Sequence, residues 1–392
     1  MNANDYNGGF MTGYLLGKSL LTNADDTDDD SSSKKWTYPS DWLQMSDPAE
    51  NQVKLLVAAP YGGTRYKKSF RLRCHKSIHI DWGDGSSSTV NPSTRLRTVT
   101  KTYKQDTGHI ASRYSMSEED RGADGKIEKN EQWIITITFG ADTEYISSIT
   151  DRSYMFIYAI KAGHVRYICY DTNHNCGDFY TYYMKICNGD YLYLGGPGFC
   201  SLRKLELPKS MTKLGDYALA NCYSLFDIDL SNITELGSYA LDNCRSLDPS
   251  GKMPKLIKAG KYGLSNSKLT GLDFPALEEI DECTFYRCYN LKKVIIPEKI
   301  TAIPKSCFGY CENLKQVISN KVVAINDKSF YICHNLRSVY LPCCNSIGDG
   351  AFRSCYSLYD VTLQSGCNMN YVQAFYNCYL LNHIKFNEME VK

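Results

Sequence analysis

Cysteine recurs through the C-terminal half at a nearly fixed interval: Cys200, Cys222, Cys244, Cys288, Cys311, Cys333, Cys355 and Cys378. The steps are 22, 22, 44, 23, 22, 22 and 23 residues, with Asn266 in the slot halfway across the long one. The surroundings recur too. An Ile or Leu stands eight residues before the slot (Leu214, Leu236, Ile280, Ile303, Ile325, Ile347), and a Leu or Phe three before it (Leu219, Leu241, Phe285, Phe308, Phe330, Phe352, Phe375). A Leu follows three residues later (Leu225, Leu247, Leu269, Leu291, Leu314, Leu336, Leu358, Leu381). Such a period is the mark of a solenoid, in which each repeat is one coil stacked on the last. A solenoid presents a surface rather than enclosing a reaction.

The period also decides what the 17 cysteines do. One thiol per coil at one register faces the same inward site, where Cys acts as a small hydrophobe with a weak S–H donor. A disulfide framework cannot be assigned to the rest. The 31 tyrosines are the other excess. Many fall on repeat positions expected to be exposed, and Tyr gives rigid contact area with a polar tip, which suits recognition. With 44 basic and 43 acidic residues the net charge is +1, which gives no general pull toward nucleic acid.

Along the chain, residues 1–22 form an anchor segment. Gly9, Gly13 and Gly17 would make one smooth stripe on a helix, with Phe10 and Tyr14 in the apolar skin beside it. Such a stripe lets a partner backbone approach closely. The stretch is too short to span a membrane, and no signal peptide is read: Asp5 stands where a basic n-region belongs. Residues 23–35, NADDTDDDSSSKK, are an acidic and Ser-rich linker. Residues 36–148 read as β-strands separated by Gly, Asn, Pro and Ser turns, which argues for a sandwich with its own core. Residues 149–199 are a Tyr-rich transition that caps the solenoid, and 200–392 hold about nine coils. The stretch LDPSGKMP predicts an irregular coil around 244–266.

Two resemblances carry the expectations further. Ile80-Asp81-Trp82-Gly83-Asp84-Gly85, then Tyr103 and Gly108, then Trp133-Ile134-Ile135-Thr136-Ile137, resemble the PKD-type immunoglobulin-like domain. In its turn, Gly83 and Gly85 supply positive φ and Asp84 bonds its own backbone. A charged insertion between Gly108 and Trp133 departs from that pattern. The resemblance implies a spacer or adhesion module without catalysis. The template I-x(4)-F-x(2)-C-x(2)-L-x(2)-V-x-L/I, seen in CENLKQVI, CHNLRSVYLP and CYSLYDVTL, resembles the BspA-like leucine-rich repeat, which occurs in bacterial adhesins, protist surface proteins and phage-encoded proteins. The expected fold is therefore mainly β, a PKD-like sandwich followed by a leucine-rich-repeat solenoid.

In each L-x-x-V-x-L strand, Leu and Val point inward and the residues between them face the concave side. One such row runs Ile295, Ile318, Tyr340, with Tyr359 nearby, and makes an aromatic–aliphatic patch suited to a glycan or a protein hot spot. Asp120, Asp124 and Glu131 match ligand positions of a calcium loop, but Gly122 cannot ligate and a strand follows, so a charged loop is the plainer reading and no metal is expected. His164, Cys169, His174 and Cys176 lack zinc spacing. There is no G-x-S-x-G, Walker loop or H-E-x-x-H, so neither an enzyme nor a cofactor is expected.

The opening YNGGFMTGYLLGKSL loosely resembles N-terminal segments of structural proteins of gut-bacterial phages. The resulting expectation is a phage virion surface protein, a head or tail fibre or decoration protein. Residues 1–22 would meet capsid or tail proteins, and the solenoid a host or mucosal glycan or protein. Homo-oligomerisation is compatible with this. The alternatives are a cellular BspA-like surface adhesin and, less favoured, a polysaccharide-degrading enzyme.

Overall fold

The computed structural model describes residues 40–61, 66–74, 76–112, 129–139, 145–149, 156–163, 167–169, 183–187, 191–195, 202–207 and 209–387. The anchor and linker segments lie outside these residues. Among the described residues, nine strands lie between residues 52 and 162: β1 (Gln52–Pro60), β2 (Tyr66–Cys74), β3 (Ile78–Asp81), β4 (Ser87–Val90), β5 (Ser93–Tyr103), β6 (His109–Ser112), β7 (Lys129–Thr138), β8 (Tyr145–Ile149) and β9 (Phe156–Ala162). They form two sheets. One runs β9-β1-β7-β3-β4, with β6 also on β7, and the other β5-β2-β8.

Alternation places the core. Val53, Leu55 and Val57 of β1, Ile78 and Ile80 of β3, and Trp133, Ile135 and Ile137 of β7 are all buried. Rings from the two sheets meet across it: Phe70 stacks on Trp82 with centroids 5.6 Å apart, and Tyr66 and Tyr103 lie 5.7 and 4.6 Å from Trp133. The Tyr103 hydroxyl donates to the Trp82 carbonyl at 2.9 Å, and Trp82 Nε1 donates to Ser88 Oγ at 2.9 Å, so both polar tips are satisfied.

The W-G-D-G turn is built as its residues require. Gly83 and Gly85 have φ of 78° and 83°. A Cβ on Gly83 would collide with the Ile134 carbonyl oxygen, whereas Gly85 faces open space, so Gly83 is the constrained position. Asp84 Oδ1 accepts from the Ser86 backbone at 3.1 Å, and Lys101 Nζ lies 2.7 Å from Asp84 Oδ2. Burial opposes ionisation of Asp84, but its hydrogen bonds to Lys101 and Ser86 hold the carboxyl below its ordinary range.

The expectation of separate cores does not hold. β9 pairs antiparallel with β1 and parallel with the strand Lys204–Glu206, in the register Lys204↔Ala159, Leu205↔Ile160, Glu206↔Lys161. One sheet thus runs through the boundary drawn at 148/149 into the first coils. A single hydrophobic cluster extends from Val53 to Ile384. Ion pairs line the seam: Lys161 lies 2.5 Å from Asp47 and 2.6 Å from Glu206, and Lys204 lies 3.0 Å from Glu206.

Most coils turn their corners with left-handed residues at two fixed places, five residues and one residue before the cysteine slot. Tyr217 with Asn221, Tyr239 with Asn243, Cys283 with Arg287, Ser306 with Tyr310 and Lys328 with Ile332 all have φ between 54° and 63°. This geometry corrects one slot. Tyr262 and Asn266 are the left-handed pair of their coil, so Ser267, not Asn266, occupies the cysteine position. Ser267 is buried and donates to the Leu264 carbonyl at 2.8 Å. Asn266 belongs to a separate asparagine column, donating to Asn243 at 2.7 Å, as Asn243 does to Asn221 at 3.0 Å.

The inward columns are regular. Cys222, Cys244, Cys288, Cys311, Cys333 and Cys355 are buried free thiols, and Cys378 is partly covered. From Cys244 onward each thiol of the column donates back one coil: Cys244 to Leu219, Cys311 to Phe285, Cys333 to Phe308 and Cys355 to Phe330 at 3.2 Å, Cys288 to Leu264 at 3.4 Å, and Cys378 to Phe352 at 3.1 Å. Burial pushes Cys288 up to about 12 and raises Cys244, Cys311 and Cys355 as well, so these groups remain thiols. Beside them, Phe285, Phe308, Phe330, Phe352 and Phe375 stack ring on ring at 5.2–5.3 Å.

Two parallel ladders flank the columns. One joins 213–214, 235–236, 258–259 and 279–280 and resumes from 302–303 to 368–369. The other joins 204–206 to 227–228 and resumes as 293–295, 316–318, 338–340, 360–364 and 384–387. On that second face no strand forms between Ile228 and Lys293, where LDPSGKMP predicts an irregularity. Helix among the described residues is limited to α1 (Tyr371–Ala374), capped by Asn370.

Candidate functional site

The five-stranded face from Lys293 to Asn387 brings most of the expected patch together. Ile295, Ile318, Tyr340, Thr362 and Lys385 are direct partners on successive strands. Ile295 is 59% exposed and Tyr340 47%, while Ile318 between them is half-buried. The inward residues Val294, Val317, Val339 and Val361 are buried, so alternation turns Ile295, Ile318 and Tyr340 to solvent.

Tyr359, 57% exposed, stands in a different row. Lys315 N donates to Lys292 O at 2.7 Å, Arg337 N to Lys315 O at 2.9 Å, and Tyr359 N to Arg337 O at 3.1 Å. Lys292, Lys315, Arg337 and Tyr359 are therefore consecutive rungs. A polar row, Lys293, Gln316, Ser338 and Asp360, lies between this one and the Ile295 row. The basic rungs escaped the sequence reading because each stands one residue before its strand, outside the in–out alternation.

Two aromatic columns were also missed. Tyr217, Tyr239 and Tyr262 stack at 4.7 Å, and Tyr286, Tyr310 and Tyr331 continue edge to face. Arg287 lies over Tyr286 and Tyr310 at 5.4 and 5.2 Å, and Arg353 over Tyr376 at 5.0 Å. Burial pushes Tyr286 up to about 12. The second column is His334, Tyr356 and Tyr379, stacked at 4.7 and 5.6 Å. The signal available was Tyr five residues before the slot, but it holds for three coils only and then shifts.

Of the calcium candidates, Asp120 and Asp124 lie outside the described residues. Glu131 is buried and accepts from Gly108 N at 2.7 Å, closing the corner at that glycine. No metal-ligating cluster occurs among the described residues, and no helix among them is long and apolar enough to cross a membrane. The anchor residues Gly9, Phe10, Gly13, Tyr14 and Gly17 lie outside the described residues. One titratable group that the sequence reading overlooked is Lys68. It sits between Tyr66 and Phe70 on the inward face of β2, is fully buried, and its Nζ has no hydrogen-bond partner. Burial alone pushes it down to about 7.

Stacked parallel coils with inward Leu, Phe and Cys at one register define a leucine-rich-repeat solenoid. Residues 198–292 and 278–391 match the BspA type leucine rich repeat region, in six copies. No curated protein matches the chain. Among solved structures, a leucine-rich repeat protein from Bacteroides ovatus is 16% identical over 64% of this chain and 71% of its own, with a TM-score of 0.44. The leucine-rich repeat protein of T. pallidum is 26% identical over 41% of this chain and 67% of its own, with a TM-score of 0.30. A leucine rich cell surface protein from Faecalibacterium prausnitzii is 16% identical over 64% of this chain and 95% of its own, with a TM-score of 0.23.

Proposed function

We propose that this chain is a non-enzymatic surface-display protein whose repeat sheet binds a host or mucosal glycan or protein. The observation that carries the reading is the solvent-facing alignment of Ile295, Ile318 and Tyr340, with Tyr359 beside it, on a rigid stack of parallel strands. Exposed aromatic and aliphatic side chains fixed in one plane suit contact rather than solvation. The sheet pair before the repeats serves as a spacer in this reading. Its likeness to a PKD-type domain is carried by the Gly83–Gly85 turn and the Tyr103–Gly108 corner.

The test is binding of the full chain to mucin and to host-cell glycoprotein, compared with a Tyr340→Ala/Tyr359→Ala variant. Truncating two central contacts is expected to weaken binding by about tenfold or more. Equal binding by the variant, or polysaccharide turnover by the parent, would sink the proposal.

The narrower placement is on a virion, with residues 1–22 docked on capsid or tail proteins. It is a proposal carried by the Gly9/Gly13/Gly17 stripe alone, and the repeat match fits a cell-surface adhesin equally. Gly13→Leu is expected to abolish incorporation into particles by blocking a close backbone approach, without lowering the melting temperature. Normal incorporation would leave the cell surface as the better setting.

A further inference from the structure

We propose that the same sheet face selects an acidic polysaccharide, one bearing uronate or sulfate groups, through the row Lys292, Lys315 and Arg337. The proposal rests on the reading of this face as a binding surface, and adds the chemical class of the ligand.

At several places elsewhere on the solenoid, a cation on one coil meets a carboxylate on the next. Lys213 lies 2.7 Å from Glu235, Lys258 2.8 Å from Glu279, Lys261 2.9 Å from Glu282 and Lys385 2.8 Å from Asp360. The Lys292 row differs from these pairs. Its three cations occupy successive in-register rungs, about 4.8 Å apart along the stack, with Lys293 beside the first. All are exposed, and none makes an ion pair among the described residues. Like charges directly opposite each other on neighbouring strands are destabilising. Three like charges held in register with no carboxylate between them leave this row open to anions from outside.

The neighbouring rows narrow the class. Tyr359 ends the basic row and Tyr340 stands one coil before it, both exposed aromatic side chains against which pyranose C–H groups can pack. Gln316 and Ser338, between the two rows, offer donors and acceptors to hydroxyl groups. An extended acidic peptide fits less well. The inner strands of this sheet are paired on both sides, so a peptide backbone finds no ladder to join there. A nucleic acid fits less well because the row holds only three cations, on a chain of net charge +1.

The test uses the full chain against polygalacturonate and chondroitin sulfate, with dextran, poly-glutamate and a single-stranded oligonucleotide alongside. The acidic glycans are expected to bind, and to bind less as salt rises. The triple variant Lys292→Gln, Lys315→Gln, Arg337→Gln should bind them roughly tenfold to a hundredfold more weakly. Its melting temperature should be equal or higher, because the repulsion is gone. Equal binding by the triple variant overturns the proposal. So does binding of poly-glutamate or the oligonucleotide as tight as that of the glycans. If only a neutral glycan or a protein binds, and does so through Tyr340 and Tyr359, the acidic class is overturned while the binding face stands.

Discussion

Replacing Lys68 by Met is expected to stabilise the folded chain by about 4 kcal/mol at pH 7 and to remove a pH dependence. The amine is sealed between Tyr66 and Phe70 with no partner for its Nζ. Burial lowers it from 10.5 to about 7. Between these values the unfolded chain holds a proton that the folded chain has lost. Stability from this group therefore rises with pH across that window, by about 1.4 kcal/mol per unit. Below about 7 both states are protonated and the penalty is constant. The buried thiols pull the opposite way. Their raised values mean that above about 8.5 the unfolded chain releases protons the folded chain keeps. The informative quantity is thus the difference between parent and Lys68→Met, by urea denaturation at pH 7 and pH 9.5. It should be large at the lower pH and shrink at the higher. A constant difference would mean that Lys68 is not neutral when folded.

The second large effect is expected at Phe330. Its ring lies 5.3 Å from Phe308 on one side and from Phe352 on the other, with interplanar angles of 2° and 1°, and it is fully buried. Phe330→Ala empties the middle of the column and removes both stacking contacts, at about 3–5 kcal/mol. Phe375 has one neighbour in the column, Phe352, and is 5% exposed. Phe375→Ala should therefore cost distinctly less. In a solenoid whose stability is a sum over adjacent coils, an internal break counts twice. Equal losses in urea melts would show that stacking between coils is not the source.

The coil period was legible because inward positions tolerate few residue types, so Cys, Phe and Leu repeat at fixed offsets. The Ser267 slot was not. Counting from the cysteines lands on Asn266, and only the left-handed pair Tyr262 and Asn266 reveals the one-residue shift. The turn at Gly83–Gly85 was legible because its chemistry is local. The seam was hidden because β1 and β9 lie some hundred residues apart in sequence, and a pairing partner leaves no mark in either strand's own pattern. On the candidate face, alternation exposed Ile295 and Tyr340 to inference. The basic row depends on which residues meet across coils, and it became visible only once Tyr359 was seen to follow Arg337.

The thiol that reaches back to the previous coil, and the two left-handed corners that recur with it, make the coils interchangeable at their joints. Cutting the chain at equivalent points, such as Cys311 and Cys333, and rejoining it removes 22 residues. Each new neighbour still finds a carbonyl for its thiol and a ring for its ring. Recombination between the gene's own repeats then shortens or lengthens the sheet by whole strands without a new core having to be invented. The reach of this surface is a copy number, open to change in one genetic step, while the residues that face outward drift separately.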